Sequence, residues 1–318
     1  MRVLVTGATG YIGSRLVPEL VARGHDVVAA VRRDGAADPY PWADDVTTRH
    51  FDITDPELVR SAVEGVDAVV YLVHSMESED FVSKDREAAE TTARACADAG
   101  VSRLVYLSGL VPDEDELSDH LRSRLEVEQV FLDGPVPATV LRAAMVVGSG
   151  STSFEIVRRL TRRVPIAPIP AWMRSSLQPV AVEDVVRLVG GALEGEPRNR
   201  HYDLGGSDVV TYPELLHVVA GLMDLRRPQV VLPWAPKGLA GRIVALVTRM
   251  DRPTVVSLVD SLSYDMVCHD DDVWRDLARP GHRPMGLREA FARSLDDVGQ
   301  QGTRARDDVQ AGADTDPA

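Results

Sequence analysis

The sequence predicts an α/β fold, a doubly wound parallel sheet followed by a smaller, mostly helical C-terminal lobe. Three observations predict it. Short apolar runs alternate with helical patterns through the first half, a glycine-rich turn joins the first run to the first helix, and the alternation loosens after about Gly148.

Arg2 to Thr6 (RVLVT) reads as the first strand, followed by GATGYIG and a helix. In that helix Ile12, Leu16 and Leu20 repeat at i, i+4, Val17 and Val21 flank them, and Gly24 closes it. Strands follow at Asp26 to Arg32, Val46 to Phe51 and Ala68 to Val73, with a helix from about Asp55 between the last two. A long helix over Phe81 to Ala99 leads to a strand at Arg103 to Leu107, a helix at Ser118 to Leu132 and a strand at Ala138 to Leu141. Strands spaced by helices in this way make right-handed βαβ units. Their near-continuous apolar character fits a sheet covered on both faces. Tyr71 and Tyr106, inside strands, and Cys96, inside a helix, read as core residues.

Beyond Gly148, Pro165, Pro168 and Pro170 crowd a loop. Helical patterns resume at Val182 to Leu193, Tyr212 to Met223, Lys237 to Thr248 and Leu287 to Val298, with a strand at His201 to Leu204. The expected organisation is a dinucleotide-binding domain over 1–150, its sheet completed by segments within 175–210, and a C-terminal substrate lobe over 151–298. An acidic tail over 299–318, poor in large apolar residues, is expected to be disordered. The stretch from Ala235 to Met250 is amphipathic and fits either a greasy pocket wall or ordinary packing.

Composition narrows the class of function. The net charge of −14 argues against nucleic acid or an anionic membrane as main partner. Lys84 and Lys237 are the only lysines, so the acidic surface is that of a salt-loving cell or the product of codon bias. Two cysteines, Cys96 and Cys268, build no disulfide framework and suggest a reducing, cytoplasmic location. MRVLVTGATG runs straight into a strand and leaves no room for a signal peptide, and no apolar run is long enough to span a bilayer. The eight histidines are scattered with no metal-ligand spacing.

Gly7, Gly10 and Gly13 form G-x-x-G-x-x-G between the first strand and the first helix. Glycine is needed there for the sharp turn, for close approach of a pyrophosphate and for packing of helix on strand, while the helix N-terminus offers N–H groups to phosphate. This predicts a Rossmann dinucleotide site. Arg32 and Arg33 stand where an NAD-specific site carries an acid, so NADP(H) is expected in preference to NAD(H), the arginine fork suiting a 2′-phosphate. The competing reading makes them solvated charges. Asp52-Ile53 is placed to receive adenine, or Asp52 is a turn residue. His74 and Ser75, after the fourth strand, either touch a ligand or cap the loop.

These residues resemble the extended and atypical short-chain dehydrogenase/reductases. The segments carrying the resemblance are GATGYIG, FDITD, LVHSM, LSGL, LRAAMVVGSGSTSFE, PVAVEDVVRLV and YDLGGSDVVTYPEL. The chain is most similar to the YbjT-like and NmrA-like branches and to the NADPH-binding accessory subunit of respiratory complex I, over about residues 1 to 225 and more weakly to about 298. The resemblance implies that Gly7, Thr9, Gly10, Tyr11, Ile12 and Gly13 contact the cofactor diphosphate. It implies that Arg32, Asp52, Ile53, Leu72, Val73 and His74 flank the ribose and adenine, with Ser108 near the nicotinamide. It departs from the family at the Tyr-x-x-x-Lys pair: HLRSRLEVE puts His120 on the tyrosine position and Arg124 on the lysine position. The catalytic candidates are therefore Ser108, His120 and Arg124, against a reading in which His120 and Arg124 only contact ribose or solvent. Two functions stay open. One is an NADP-dependent oxidoreductase on a small hydrophobic carbonyl or quinone-like substrate. The other is a non-catalytic NADP(H)-binding sensor, regulator or assembly factor.

Overall fold

A computed structural model describes residues 1–73, 81–112, 117–296, 308–313 and 316. In chain order the strands are β1 (Arg2–Val5), β2 (Asp26–Val31), β3 (Thr47–His50), β4 (Ala68–Tyr71), β5 (Arg103–Gly109), β6 (Ala138–Ala143), β7 (Val146–Val147), β8 (Ala167–Pro170), β9 (Ser176–Leu177), β10 (Val180–Ala181), β11 (Arg200–Leu204), β12 (Val210–Thr211) and β13 (Gln229–Leu232). The helices are α1 (Tyr11–Ala22), α2 (Pro56–Val63), α3 (Phe81–Asp98), α4 (Asp119–Leu132), α5 (Thr152–Arg163), α6 (Val182–Ala192), α7 (Tyr212–Leu222), α8 (Lys237–Thr248), α9 (Arg252–Ser261), α10 (Asp272–Leu277) and α11 (Leu287–Asp296).

Seven strands form one parallel sheet in the order β11-β6-β5-β4-β1-β2-β3. Alternation along β1 shows why its residues are all apolar. Val3 and Val5 pack against Leu16 and Leu20 of α1 and Val185 and Val189 of α6. Leu4 points the other way, into a core with Val59 of α2 and Ala93 and Cys96 of α3. Each such fully buried aliphatic side chain contributes about 1.5–3 kcal/mol. Tyr71, Tyr106 and Phe131 meet edge to face in that second layer, with centroids 5.0 to 5.8 Å apart, so both tyrosines are core residues.

Pro168 and Pro170, read as loop, lie in β8, and β13, α9 and α10 are elements the sequence reading lacks; two further differences bear on the site. The segment read as irregular between Gly148 and the prolines contains α5, started by Ser151, whose hydroxyl accepts from the Phe154 N–H. Its run of four arginines hides a narrow apolar face of Phe154 and Val157. The tail is the second. Residues 308–313 and 316 are packed rather than loose: Gln310 is fully buried and donates to the Val147 carbonyl, and Asp316 pairs with Arg15. In these described residues the anchors are mostly polar, with only the small Val309 and Ala311 packed beside them, which is why composition reads the segment as disordered.

Candidate cofactor and substrate site

The chain leaves the sheet centre in opposite directions from β1 and β4, and open α/β sheets bind ligands in the crevice at such a point. Thr6 ties the two strand ends together. Its N–H and hydroxyl donate to the Val70 carbonyl and its hydroxyl accepts from the Leu72 N–H. Gly7 then turns at φ 68°, and a Cβ on Gly13 would stand 2.1 Å from the Gly7 carbonyl oxygen, so only glycine lets α1 begin there. The Gly10 N-cap of α1 makes no side-chain cap and the first turn carries no acid, leaving its N–H groups and dipole open to an anion. These features fit a dinucleotide pyrophosphate. Tyr40, stacked on Trp42, donates to the Thr9 carbonyl at 2.5 Å, and Trp42 donates to that of Ser14, so the loop after β2 braces the turn. Sequence reasoning missed this brace, although two aromatics in a polar loop were the available signal.

Of the other expected cofactor residues, Tyr11, Ile12 and Leu72 line the crevice, while Arg32, Arg33, Asp52, Ile53 and Val73 follow the ends of β2, β3 and β4. Ile12 packs partly buried against the core, while Tyr11 lies under the Arg15 guanidinium with its hydroxyl buried. Burial pushes the Tyr11 phenol well above its ordinary range. Arg32 and Arg33 are exposed just past β2. Asp52 Oδ1 accepts from the Thr54 hydroxyl and N–H at 2.7 and 2.9 Å, which holds its carboxyl below the usual range, with the Arg32 charge adding to the effect. One oxygen of Asp52 is thus committed to a turn. Ile53 packs beside it, Leu72 faces Gly7, and Val73 is half-buried. His74 and Ser75 lie outside the described residues.

From Gly7 and Gly10 a cavity of about 900 Å³ runs into the helical lobe. That is near the upper end of the roughly 300–1,000 Å³ typical of small-molecule sites. Ser108, His120 and Arg124 share its wall, the last two one turn apart on α4. Ser108 is buried at the end of β5, and its hydroxyl has no hydrogen-bond partner among the described residues. Burial and the neighbouring Arg124 push His120 down to about 4, leaving a neutral imidazole at physiological pH. The rest of the wall is largely apolar, with α5, Trp172, Tyr212 and the α8 residues Leu239, Ile243 and Val247 contributing and Arg227, Gln229 and Thr254 among its polar members. Of these, only the α8 stretch was legible as a pocket candidate; α5 and Trp172 join it through tertiary packing. Among the described residues no group of side chains fits a metal ion, and no helix is long and apolar enough to cross a membrane.

Comparison with known proteins agrees with this geometry. The profile of the NAD(P)H-binding family matches residues 7–159. The chain is 31% identical to a 3-diazoavenalumate denitrifying reductase of Streptomyces sp, over 62% of this chain and 73% of that one. It is 25% identical to the mitochondrial NADH dehydrogenase [ubiquinone] 1 alpha subcomplex subunit 9 of Arabidopsis thaliana, over 90% of this chain and 76% of the plant protein. It spans only 20% of the length of mycobacterial relatives that are 29% identical. Among solved structures, the triphenylmethane reductase of Citrobacter sp. complexed with NADP(H) superposes with a TM-score of 0.72 at 19% identity, covering 92% of this chain and 99% of that one. That likeness shows a shared fold.

Proposed function

Starting from the chain's membership of the atypical short-chain dehydrogenase/reductase superfamily, we propose that it binds NADP(H) in preference to NAD(H) and reduces a hydrophobic, quinone-like or carbonyl compound. The observation that carries the reading is one continuous cavity that reaches from the glycine turn into a largely apolar chamber, with Ser108, His120 and Arg124 in its lining. Gly7, Thr9, Gly10, Tyr11, Ile12 and Gly13 would hold the diphosphate, Arg32 and Arg33 the 2′-phosphate, and Asp52, Ile53, Leu72, Val73 and His74 the adenosine. The bound cofactor supplies a hydride.

The side chains favour a quinone-like acceptor. A simple ketone leaves an alkoxide, about as basic as hydroxide, and needs a strong proton donor. Neutral His120 is a poor one. Reduction of a quinone leaves a phenolate-like oxygen, whose conjugate acid lies near 10 as in tyrosine. That oxygen needs stabilisation more than protonation. The Ser108 hydroxyl and an imidazole N–H of His120 would donate to it, the Arg124 guanidinium would offset its charge, and the proton would come from solvent.

The same neutral His120, standing where the family carries tyrosine, supports a second reading as a non-catalytic NADP(H)-binding sensor, regulator or assembly factor. One experiment separates them. Purified protein is mixed with NADPH and a panel of quinones and aldehydes, and absorbance of the reduced cofactor is followed. Consumption with quinones is expected. Tight NADPH binding without consumption by any acceptor would leave the second reading standing.

A further inference from the structure

Two segments run against the charge of this acidic chain. Residues 156–182 hold five arginines and no acid, and residues 226–252 hold five arginines and Lys237 against Asp251 alone, while the whole chain carries −14. The fold brings these segments together. Strand β13 pairs with β8, Arg227 donates to the carbonyls of Thr161 and Arg162, and Arg163 donates to that of Val247 at the end of α8.

Large apolar side chains stand in the open on the same lobe. Trp234 is 82% exposed, Leu246 79%, and Leu239, Ile243 and Ile166 about half. The packing of α8 explains the placement. Its buried residues include Gly241 and Ala245, and a Cβ on Gly241 would lie 3.1 Å from Val256 of α9, so this face is sealed against its neighbour. Leu239, Ile243 and Leu246 follow at i, i+4 and i+7 and form a stripe on the outer side, with exposed Arg242 and Arg249 near it. Contiguous exposed apolar surface of this kind marks an interaction site. An apolar stripe with nearby basic residues and an adjacent tryptophan has the chemistry of a helix lying in a lipid interface. The cavity bears this out geometrically: Leu232, Trp234, Leu239 and Ile243 line it and are also exposed, so its mouth opens within the patch.

We infer that this face docks on a lipid bilayer bearing anionic headgroups, with α8 in the interface and the cavity mouth turned toward the acyl chains. A lipophilic ligand would then enter from the bilayer without crossing water. The inference revises the expectation drawn from net charge, because a membrane surface senses charge within a Debye length, about 8 Å at physiological salt. It stands on surface charge and shape, independently of the redox reading.

The test uses the full chain with vesicles of phosphatidylcholine alone and of equal parts phosphatidylcholine and phosphatidylglycerol. Binding is read by co-sedimentation and tryptophan emission. Anionic vesicles are expected to bind the protein, more weakly as salt rises, with a blue shift that Trp234→Phe removes. Arg242→Ala and Arg249→Ala should each weaken binding roughly fivefold, the weight of one basic residue near an anionic surface. Leu246→Asp should weaken it at least about tenfold, with melting temperature unchanged because the side chain is exposed. Absence of binding to anionic vesicles, or equal binding to both compositions at every salt concentration, would overturn the inference. So would a dimer in sedimentation velocity that Leu246→Asp converts to monomer, since a second copy would then be what covers the face.

Discussion

Arg15 clasps the carboxylate of Asp316 through both terminal nitrogens, at 2.5 and 2.7 Å, across 301 residues of chain. Both side chains are buried, at 6% and 8% exposure, and Arg15 sits in the helix that the glycine turn begins. Asp316 is therefore fastened to the helix that begins at the crevice. Asp316→Ala should lower stability by about 3 kcal/mol, the low end of what a widowed buried charge costs. The low end applies because Arg15 keeps the carbonyls of Tyr11, Ser149, Val309 and Ala311. Urea denaturation of the two proteins measures it, and an unchanged midpoint would mean the tail does not seat there in solution.

Gly13→Ala should break the crevice without unfolding the sheet. The added Cβ meets the Gly7 carbonyl at 2.1 Å and the Ala8 Cα at 2.7 Å, both backbone atoms that give way only if α1 moves. NADPH affinity should fall at least about tenfold, because the phosphate-binding N–H groups move with the helix. Fluorescence titration beside a thermal melt separates lost binding from lost fold.

Arg32→Ala should weaken NADPH about ten- to a hundredfold and leave NADH nearly unchanged, as expected for one charge-assisted phosphate contact. Arg33→Ala is the companion variant: both arginines lie past Val31, the last residue of β2, so strand alternation does not rank them. Calorimetric titration at fixed salt checks the pair. Equal affinity of the unmutated protein for both cofactors would remove the NADP preference.

His120 gives a pH dependence of definite sign. Its folded value is lowered from 6.5 to about 4, so between those values the unfolded chain binds the proton more readily than the folded one. Stability from this residue is intact above about pH 6.5 and falls as pH drops toward 4. His120→Gln should flatten that part of the profile, measured by denaturant midpoints from pH 4 to 7. Turnover, if a quinone is the substrate, should show no break near 6.5, and His120→Ala should lower it far less than the hundredfold or so typical of a general acid.

Repulsion among the carboxylates of this −14 chain should make it more stable in concentrated salt. Screening shortens from about 10 Å at 0.1 M to 3 Å at 1 M. A melting temperature that rises from dilute to molar KCl fits a halophilic surface; a flat or falling one leaves codon bias as the origin of the composition.

The sequence by itself determined the alternating order of the Rossmann core, the glycine turn and the place of His120 and Arg124 on one helix face. Each is a local matter. Period, glycine sterics and i, i+4 spacing are set by residues adjacent in the chain, so they can be read before the fold is known. Only the tertiary structure decided the brace of Tyr40 on Thr9, the seat of Gln310 and Asp316, and the union of α5, α8 and Trp172 into one cavity wall. It also decided where charge collects. Arginines 65 residues apart, Arg162 and Arg227, become neighbours only when a hydrogen bond crosses between their segments, and nothing in local spacing announces such a bond.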